Sequence, residues 1–347
     1  MTDLSNVSRR RPVRVLMIAG CAALLHLCGS AQARPAAQPD ALNYAGQGHD
    51  LSAIPAGERG LPTVRATPFF KVSDKAFPVE GPSFDRAGNL IFCDIYNGRL
   101  LRLTPDGKLS TFFSGSKMRF TGTAVHKDGR VFATDVGTGS IIALSPDGSS
   151  FTTILPSSPD RVPNDLVFDD DGGFYFTDWR GTATNPIGGV YHVSPDYKTV
   201  TAVVPQVSMA NGVALSPDNR VLWSTEFAAE RLHRTDLDAQ GKVTRSHITY
   251  NFVGRGPDSM RTDADGNVYV AMTNQGRILV FNPNGIPIGQ ILTPGRETNH
   301  FLKLTSLAFV PGTRDIIMVS WDENGPGGTM LFRARGFAKG VTLYSHR

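Results

Sequence analysis

Short apolar runs, each leaving a turn that carries Gly or Asp, recur along this chain and predict strands. Asp85-Arg86-Ala87-Gly88-Asn89 leads into Leu90-Ile91-Phe92, and Lys127-Asp128-Gly129-Arg130 leads into Val131-Phe132. Four further units follow. Asp171-Gly172-Gly173 precedes Phe174-Tyr175-Phe176, Pro217-Asp218-Asn219-Arg220 precedes Val221-Leu222-Trp223, and Asp265-Gly266-Asn267 precedes Val268-Tyr269-Val270; the more degenerate Pro311-Gly312-Thr313-Arg314-Asp315 precedes Ile316-Ile317-Met318. Between the units lie hairpin signals such as Asn97-Gly98, Pro105-Asp106-Gly107, Pro146-Asp147-Gly148 and Asn282-Pro283-Asn284-Gly285. No stretch after residue 40 holds a long helical period.

Taking Gly88, Gly129, Gly172, Asn219, Gly266 and Arg314 as the marker of each unit, the period is about 41 to 48 residues, the range of β-propeller blades. The fold class expected is therefore all-β, a six-bladed β-propeller over residues 63–347. Open sheet edges at the two ends of such a ring need joining. The strand-like Thr67-Pro68-Phe69-Phe70-Lys71-Val72 is expected to complete the last blade, with residues 330–334 and 340–344 as candidate partners. Counting eight residues back from each marker gives Glu80, Thr121, Asn164, Asn211, Asp258 and Ser306. Equivalent positions of successive blades lie on a ring, so these side chains are expected to meet at one mouth of the channel.

Composition changes the picture mainly at the N-terminus. Arg9, Arg10, Arg11 and Arg14 precede an apolar stretch at residues 15–27, and Ala31-Gln32-Ala33 forms a small-residue cleavage site. Residues 1–33 read as a signal peptide, implying export to the periplasm or the exterior after cleavage near Ala33. Arg9-Arg10 leaves the twin-arginine and general secretory routes both open. Residues 34–62, rich in Ala, Gly and Pro, read as a flexible leader. Without the first 33 residues the chain has 31 basic and 30 acidic residues, so the high pI belongs to the signal and nothing argues for nucleic acid. The mature chain has no membrane span and one cysteine, Cys93, within an apolar run, where it reads as a small core residue.

Ring chemistry narrows what could bind. Glu80 and Asp258 are carboxylates, Asn164 and Asn211 carry amide oxygens, and Thr121, Ser306 and the neighbouring Ser259 add hydroxyls. All-oxygen ligation with two negative charges suits a hard divalent cation, calcium first, then magnesium or manganese, with zinc as a further candidate disfavoured by the lack of nitrogen and sulfur ligands. The same residues could instead line the channel and hold water. No Gly-x-Ser-x-Gly elbow, phosphate-cradling loop or Cys/His zinc spacing occurs, which argues against serine hydrolase, nucleotide-binding and zinc-protease classes.

Several long motifs resemble one family. Residues 172–178, 188–196 and 210–216, then Arg231-Leu232-His233-Arg234, Gly256-Pro257-Asp258-Ser259, residues 287–292 and Gly336-Phe337-Ala338-Lys339-Gly340 are similar to the senescence marker protein, gluconolactonase and luciferin-regenerating enzyme family, in particular its drug-responsive lactonases. The resemblance runs from about Glu80 to Gly340. It implies a metal-dependent lactonase in which Glu80, Asn164, Asn211 and Asp258 surround one ion, with Ser259 as an extra ligand. The ion would polarise the carbonyl of a small-molecule lactone, and Asp258 would be the catalytic proton acceptor and donor. Asn164 stands where those relatives carry aspartate, which implies a site one charge weaker. Those relatives also hold a second, structural calcium; residues 155–162 here lack the expected ligands and carry Arg161, so that site is expected to be absent. His300 is a lesser candidate for proton transfer, His126 reads as solvated, and residues 180–187 form a loop that either covers the pocket or is a long hairpin connection. Two alternatives stay open: a non-catalytic interaction propeller, or organophosphatase or strictosidine synthase-like chemistry on the same scaffold.

Overall fold

The computed structural model describes residues 53–323 and 325–347, and its regular elements there are strands joined by tight turns, with a few three-residue 3-10 turns. Six antiparallel meanders follow one another along the chain. Their first strands, Val79–Phe84, Phe120–Val125, Pro163–Phe168, Ala210–Leu215, Pro257–Thr262 and Lys303–Phe309, stand side by side around the channel, each packed on the next and the last on the first. This is the six-bladed β-propeller that the repeat predicts. The expected signal peptide, residues 1–33, and residues 34–52 of the expected leader lie outside the described residues.

The second strands explain why the sequence shows continuous apolar runs in place of strict alternation. Leu90–Asp94, Val131–Asp135 and Phe174–Asp178 are buried at every position, because each blade has a neighbour on both faces. The core is accordingly distributed over the seams. Ile91, Cys93 and Leu100 of blade one pack with Phe120, Ala133 and Ile142 of blade two, and comparable clusters fill the other seams. Cys93 is the core residue its context predicts, and burial pushes its thiol pKa well up.

Ring closure follows the expected route. Thr67–Ser73 pairs antiparallel with Thr329–Arg335, Thr67 opposite Arg333 and Phe70 opposite Leu331, as the outermost strand of blade six. Phe70 and Val72 then join the seam where Val79, Phe92 and Leu101 meet Ile317, Val319 and Leu331. Residues 340–344 do not supply a strand. They carry the chain across the far end of the channel, where Val341 N–H donates to Thr262 O (3.3 Å), Arg86 Nε donates to Ser345 O (2.6 Å) and Tyr344 packs on Phe168. A cavity of about 70 Å³ lies between this tail and the deep channel residues Ser83, Thr123 and Arg261.

Two features of the N-terminal part go beyond the sequence reading. Thr63–Arg65 adds a parallel strand to blade five, pairing with Gln290, Ile291 and Leu292. Residues 53–62, the described end of the expected leader, are docked: Ala56–Glu58 forms a 3-10 turn, Ile54 and Glu58 are buried, and ordered contacts begin before Pro62.

Candidate metal centre

Each inner strand begins at the same mouth of the channel and loses regular pairing there. Pairing skips between Glu80 and Ser83, Phe120 and Thr123, Pro163 and Leu166, Ala210 and Val213, Pro257 and Met260, and Leu304 and Ser306. Bulges of this kind re-aim side chains and are common beside functional sites. Here they turn one residue per blade toward the axis. The residue that follows it is Gly81, Gly122 or Gly212 in three blades, because the next inner strand comes so close that a Cβ would sit 2.3 Å from Thr121 O, 2.6 Å from Asn164 O and 2.5 Å from Asp258 O. Thr134, Thr177 and Thr225 then latch neighbouring blades. Each donates to the carbonyl of the next ring residue, Asn164 (2.5 Å), Asn211 (2.5 Å) and Asp258 (2.8 Å), and accepts an N–H from its own inner strand. The ring backbone is thus fixed before any ligand arrives.

Five predicted ring members are buried at equivalent places of successive inner strands. Glu80, Thr121, Asn164 and Asp258 are each 5% exposed and Asn211 is 3% exposed, as expected for side chains that see only the narrow channel. Ser259 Oγ donates to Glu80 Oε1 (3.3 Å), and Ser259 N–H donates to Asp258 Oδ1 (3.1 Å). The sixth position requires a correction. In blade three Phe168 pairs with Phe174 and Asn164 lies four residues earlier; in blade six Phe309 pairs with Ile316, and four residues earlier stands Thr305. The Phe309-to-Ile316 turn shifts the Arg314 marker by one residue, and a one-residue slip reverses the face of a strand. Thr305 has the ring exposure of 5% and caps Val79 O at 2.6 Å, whereas Ser306 is fully buried beside it.

Sequence reasoning also missed Asp165. It occupies the place held by Gly81, Gly122, Gly212, Ser259 and Ser306 in the other blades, and that break in a small-residue column was the available signal. Its carboxylate is fully buried just below the ring, takes Arg261 Nη1 at 2.8 Å and accepts the Leu166 N–H at 2.9 Å.

Burial disfavours the charged forms of both ring carboxylates. Burial, then the Asp258 and Asp165 carboxylates, push Glu80 well above the usual carboxylate range, against the weaker pull of Ser259 and Arg261. Burial likewise raises Asp258, opposed by hydrogen bonding to Asn211 and to the Ser259 N–H. Among the described residues, Asn164 Oδ1 and Asn211 Oδ1 are buried without a hydrogen-bond partner. Two carboxylates and two orphaned amide oxygens around one axis fit a hard cation. Among the described residues no group of three or more His, Cys, Asp and Glu is arranged to hold a metal ion, so an ion here would rely on amide oxygens as much as on carboxylates.

A second set of buried acids holds the mouth loops. Asp94 takes Arg99 (2.5 Å), Asp135 accepts the Arg119 N–H (2.7 Å), Asp178 takes Arg180 (2.8 Å), and Asp322 takes His300 Nδ1 (3.0 Å). Glu226 accepts from the Ser208 N–H (3.0 Å) and from His233 (2.8 Å). His300 therefore belongs to this scaffold. His126 is not solvated as expected: its ring packs against Phe132, Phe168 and Tyr344, the last at 5.0 Å. Residues 180–187 fold back on themselves through the Thr182–Asn185 bridge, while Trp179 and Phe227 meet at 4.9 Å beside the mouth.

Glu226 makes the acid scaffold testable. Burial alone would raise its pKa, but hydrogen bonds from His233 and Ser208 bring it from 4.5 to about 2. A carboxyl depressed in the folded state adds stability that is complete above its unfolded pKa and lost as pH falls toward the folded value. Between pH 4.5 and about 2 the thermal midpoint of Glu226→Gln is therefore expected to fall less steeply than that of the parent. Equal slopes in a pH series of melting curves would remove this role.

The fold is a six-bladed β-propeller whose inner strands bulge at one mouth of the channel. Residues 78–318 match the SMP-30/Gluconolactonase/LRE-like region model, and the chain belongs to that family. It is 44% identical over 310 residues to the Lactonase drp35 of Staphylococcus aureus (strain USA300), covering 86% of this chain and 95% of that protein, and 43% identical to the Lactonase drp35 of Staphylococcus saprophyticus, covering 87% and 97%. Among solved structures it resembles a calcium-binding protein, regucalcin, from Agrobacterium tumefaciens (TM-score 0.68, 18% identity, 82% of this chain and 99% of that one). It also resembles a gluconolactonase from Xanthomonas campestris (TM-score 0.63, 21% identity, 77% and 89%). At these identities the solved structures speak for the fold.

Proposed function

We propose that this chain opens the ring of a small-molecule lactone by hydrolysis and depends on a divalent cation, calcium first, held by Glu80, Asn164, Asn211 and Asp258 with Ser259 beside them. The observation that carries the cation is the pair of buried, partnerless amide oxygens on the ring that also bears Glu80 and Asp258, two carboxylates whose charged forms burial disfavours, with Asp258 and Asp165 adding to the cost at Glu80. The reaction class is supported by the drp35 lactonases, which match nearly the full propeller. A cation bound there would supply Lewis acidity at the lactone carbonyl and charge stabilisation for the oxyanion.

The chain's own residues do the rest. Asp258 accepts a proton from the water whose oxygen bonds to the carbonyl carbon, and returns it to the alkoxide released when the ring C–O bond breaks. Glu80 and the two asparagines keep their oxygens on the axis, and Ser259 fixes the Glu80 and Asp258 carboxylates relative to each other. The Asp165–Arg261 pair sets the charge under the ring.

The mature chain is expected to hydrolyse at least one member of a panel of sugar and aromatic lactones, to lose that activity in chelator and to regain it with calcium. Failure of the calcium-loaded protein on the whole panel would overturn the reading and favour an interaction propeller.

A further inference from the structure

Blade five departs from the acid scaffold that the other blades share. In blades one and four the second strand ends in an acid level with an arginine on the third strand: Asp94 opposite Arg99 and Glu226 opposite Arg231. Arg277 has the same place in blade five, but the residue opposite it is Met272, followed by Thr273. Its guanidinium is nevertheless 1% exposed. A buried charge without a counter-charge is strongly disfavoured.

The carboxylate comes from outside the blade. Glu58, in the 3-10 turn Ala56–Glu58 ahead of the propeller, is 4% exposed and places Oε2 at 2.5 Å from Arg277 Nη1. Its other oxygen accepts from Tyr250 OH (2.6 Å), and Gln290 Nε2 donates to its backbone carbonyl (3.3 Å). From Arg277 the network continues toward the mouth. Arg277 Nε donates to Gln275 Oε1 (2.8 Å), and Gln275 Nε2 donates to Arg255 O (3.0 Å) and Val253 O (3.2 Å). Residues 252–256 are the connection that enters Pro257–Thr262, and Asp258 is the second residue of that strand.

We infer that Glu58 is the missing acid of blade five and a positioning residue for the ring: by fixing Arg277 and, through it, Gln275, it holds the 252–256 connection that delivers Asp258. The segment before the propeller is thus part of the site's scaffold. The inference rests on the proposed function only for the use of Asp258, since the contacts from Glu58 to Arg255 stand by themselves.

The test is hydrogen exchange, followed by mass spectrometry, on full-length Glu58→Ala, Arg277→Met and the double variant, without added cation. Loss of Glu58 is expected to speed exchange across residues 252–258 by about tenfold or more, with little change in Phe120–Val125 on the other side of the ring. Removing both charges relieves the unpaired guanidinium, so the double variant is expected to regain most of the lost thermal midpoint while its 252–258 segment stays fast, because Gln275 still lacks its anchor. Calcium affinity by calorimetry is expected to weaken about tenfold in the double variant. Unchanged exchange at 252–258 in the double variant, or an equal rise over the whole molecule, would overturn the inference. Should Glu58→Ala not fold, the double variant decides alone. A parent protein that binds no calcium would sink the proposed function and leave the exchange result standing.

Discussion

Asp258→Ala is expected to lower kcat/KM for lactone hydrolysis by about a thousandfold, the usual scale for removing a general acid–base group, and to weaken calcium binding by about a hundredfold through loss of a charged ligand. The variant should stay folded. Asp258 and Glu80 are both buried, burial raises the pKa of each, and the Asp258 charge adds to the cost of charging Glu80. Removing one of two facing carboxylates relieves that burden, so in chelator the thermal midpoint of the variant should equal or exceed that of the parent. In calcium the order should reverse, because only the parent gains binding free energy. Glu80→Gln separates the two roles of Asp258: it should weaken calcium binding similarly, while turnover at saturating calcium recovers. Calorimetry, melting curves and steady-state rates check all three expectations. An Asp258→Ala protein with parental turnover would remove Asp258 from the reaction.

Gly256→Ala is expected to be the most damaging single-methyl change near the site. Gly256 has φ of 124°, outside the range of L side chains, and a Cβ there would lie 1.8 Å from Thr273 O. The Thr273 N–H donates to Gly256 O at 2.8 Å, so the clash falls on the hydrogen-bonded link that starts the Asp258 strand. The strand cannot back away without breaking that link. Enforced backbone strain of this kind costs about 1–3 kcal/mol, and the result expected is a lower denaturation midpoint together with weakened calcium binding. A variant with parental stability in urea would show that the turn relaxes freely.

Much of this molecule could be read from the turn-and-strand repeat, because each blade carries its own copy of the turn chemistry. The six blades, the closure by Thr67–Ser73, and the equivalent, buried placement of Glu80, Thr121, Asn164, Asn211 and Asp258 on the inner strands were all legible there. The reading failed where the period is locally broken. The turn between Phe309 and Ile316 exchanged Ser306 for Thr305. His126 looks polar beside its turn, but Tyr344 arrives from the far end of the chain to bury it. Asp165 was hidden because a bulge makes two adjacent residues matter where a regular strand would use one. Glu58 lies in a Gly- and Pro-rich segment whose composition suggests no structure, and its partner Arg277 is 219 positions further along. Contacts of that span leave no local trace in sequence.

The most direct test of the central claim is anomalous X-ray diffraction from crystals of the protein soaked in manganese, a scatterer that stands in for calcium at oxygen sites. The account predicts one strong peak on the channel axis, within about 2.5 Å of oxygens from Glu80, Asn164, Asn211 and Asp258, and no peak there in Asp258→Ala. An empty axis in crystals of protein that hydrolyses lactones in the same manganese buffer would contradict it.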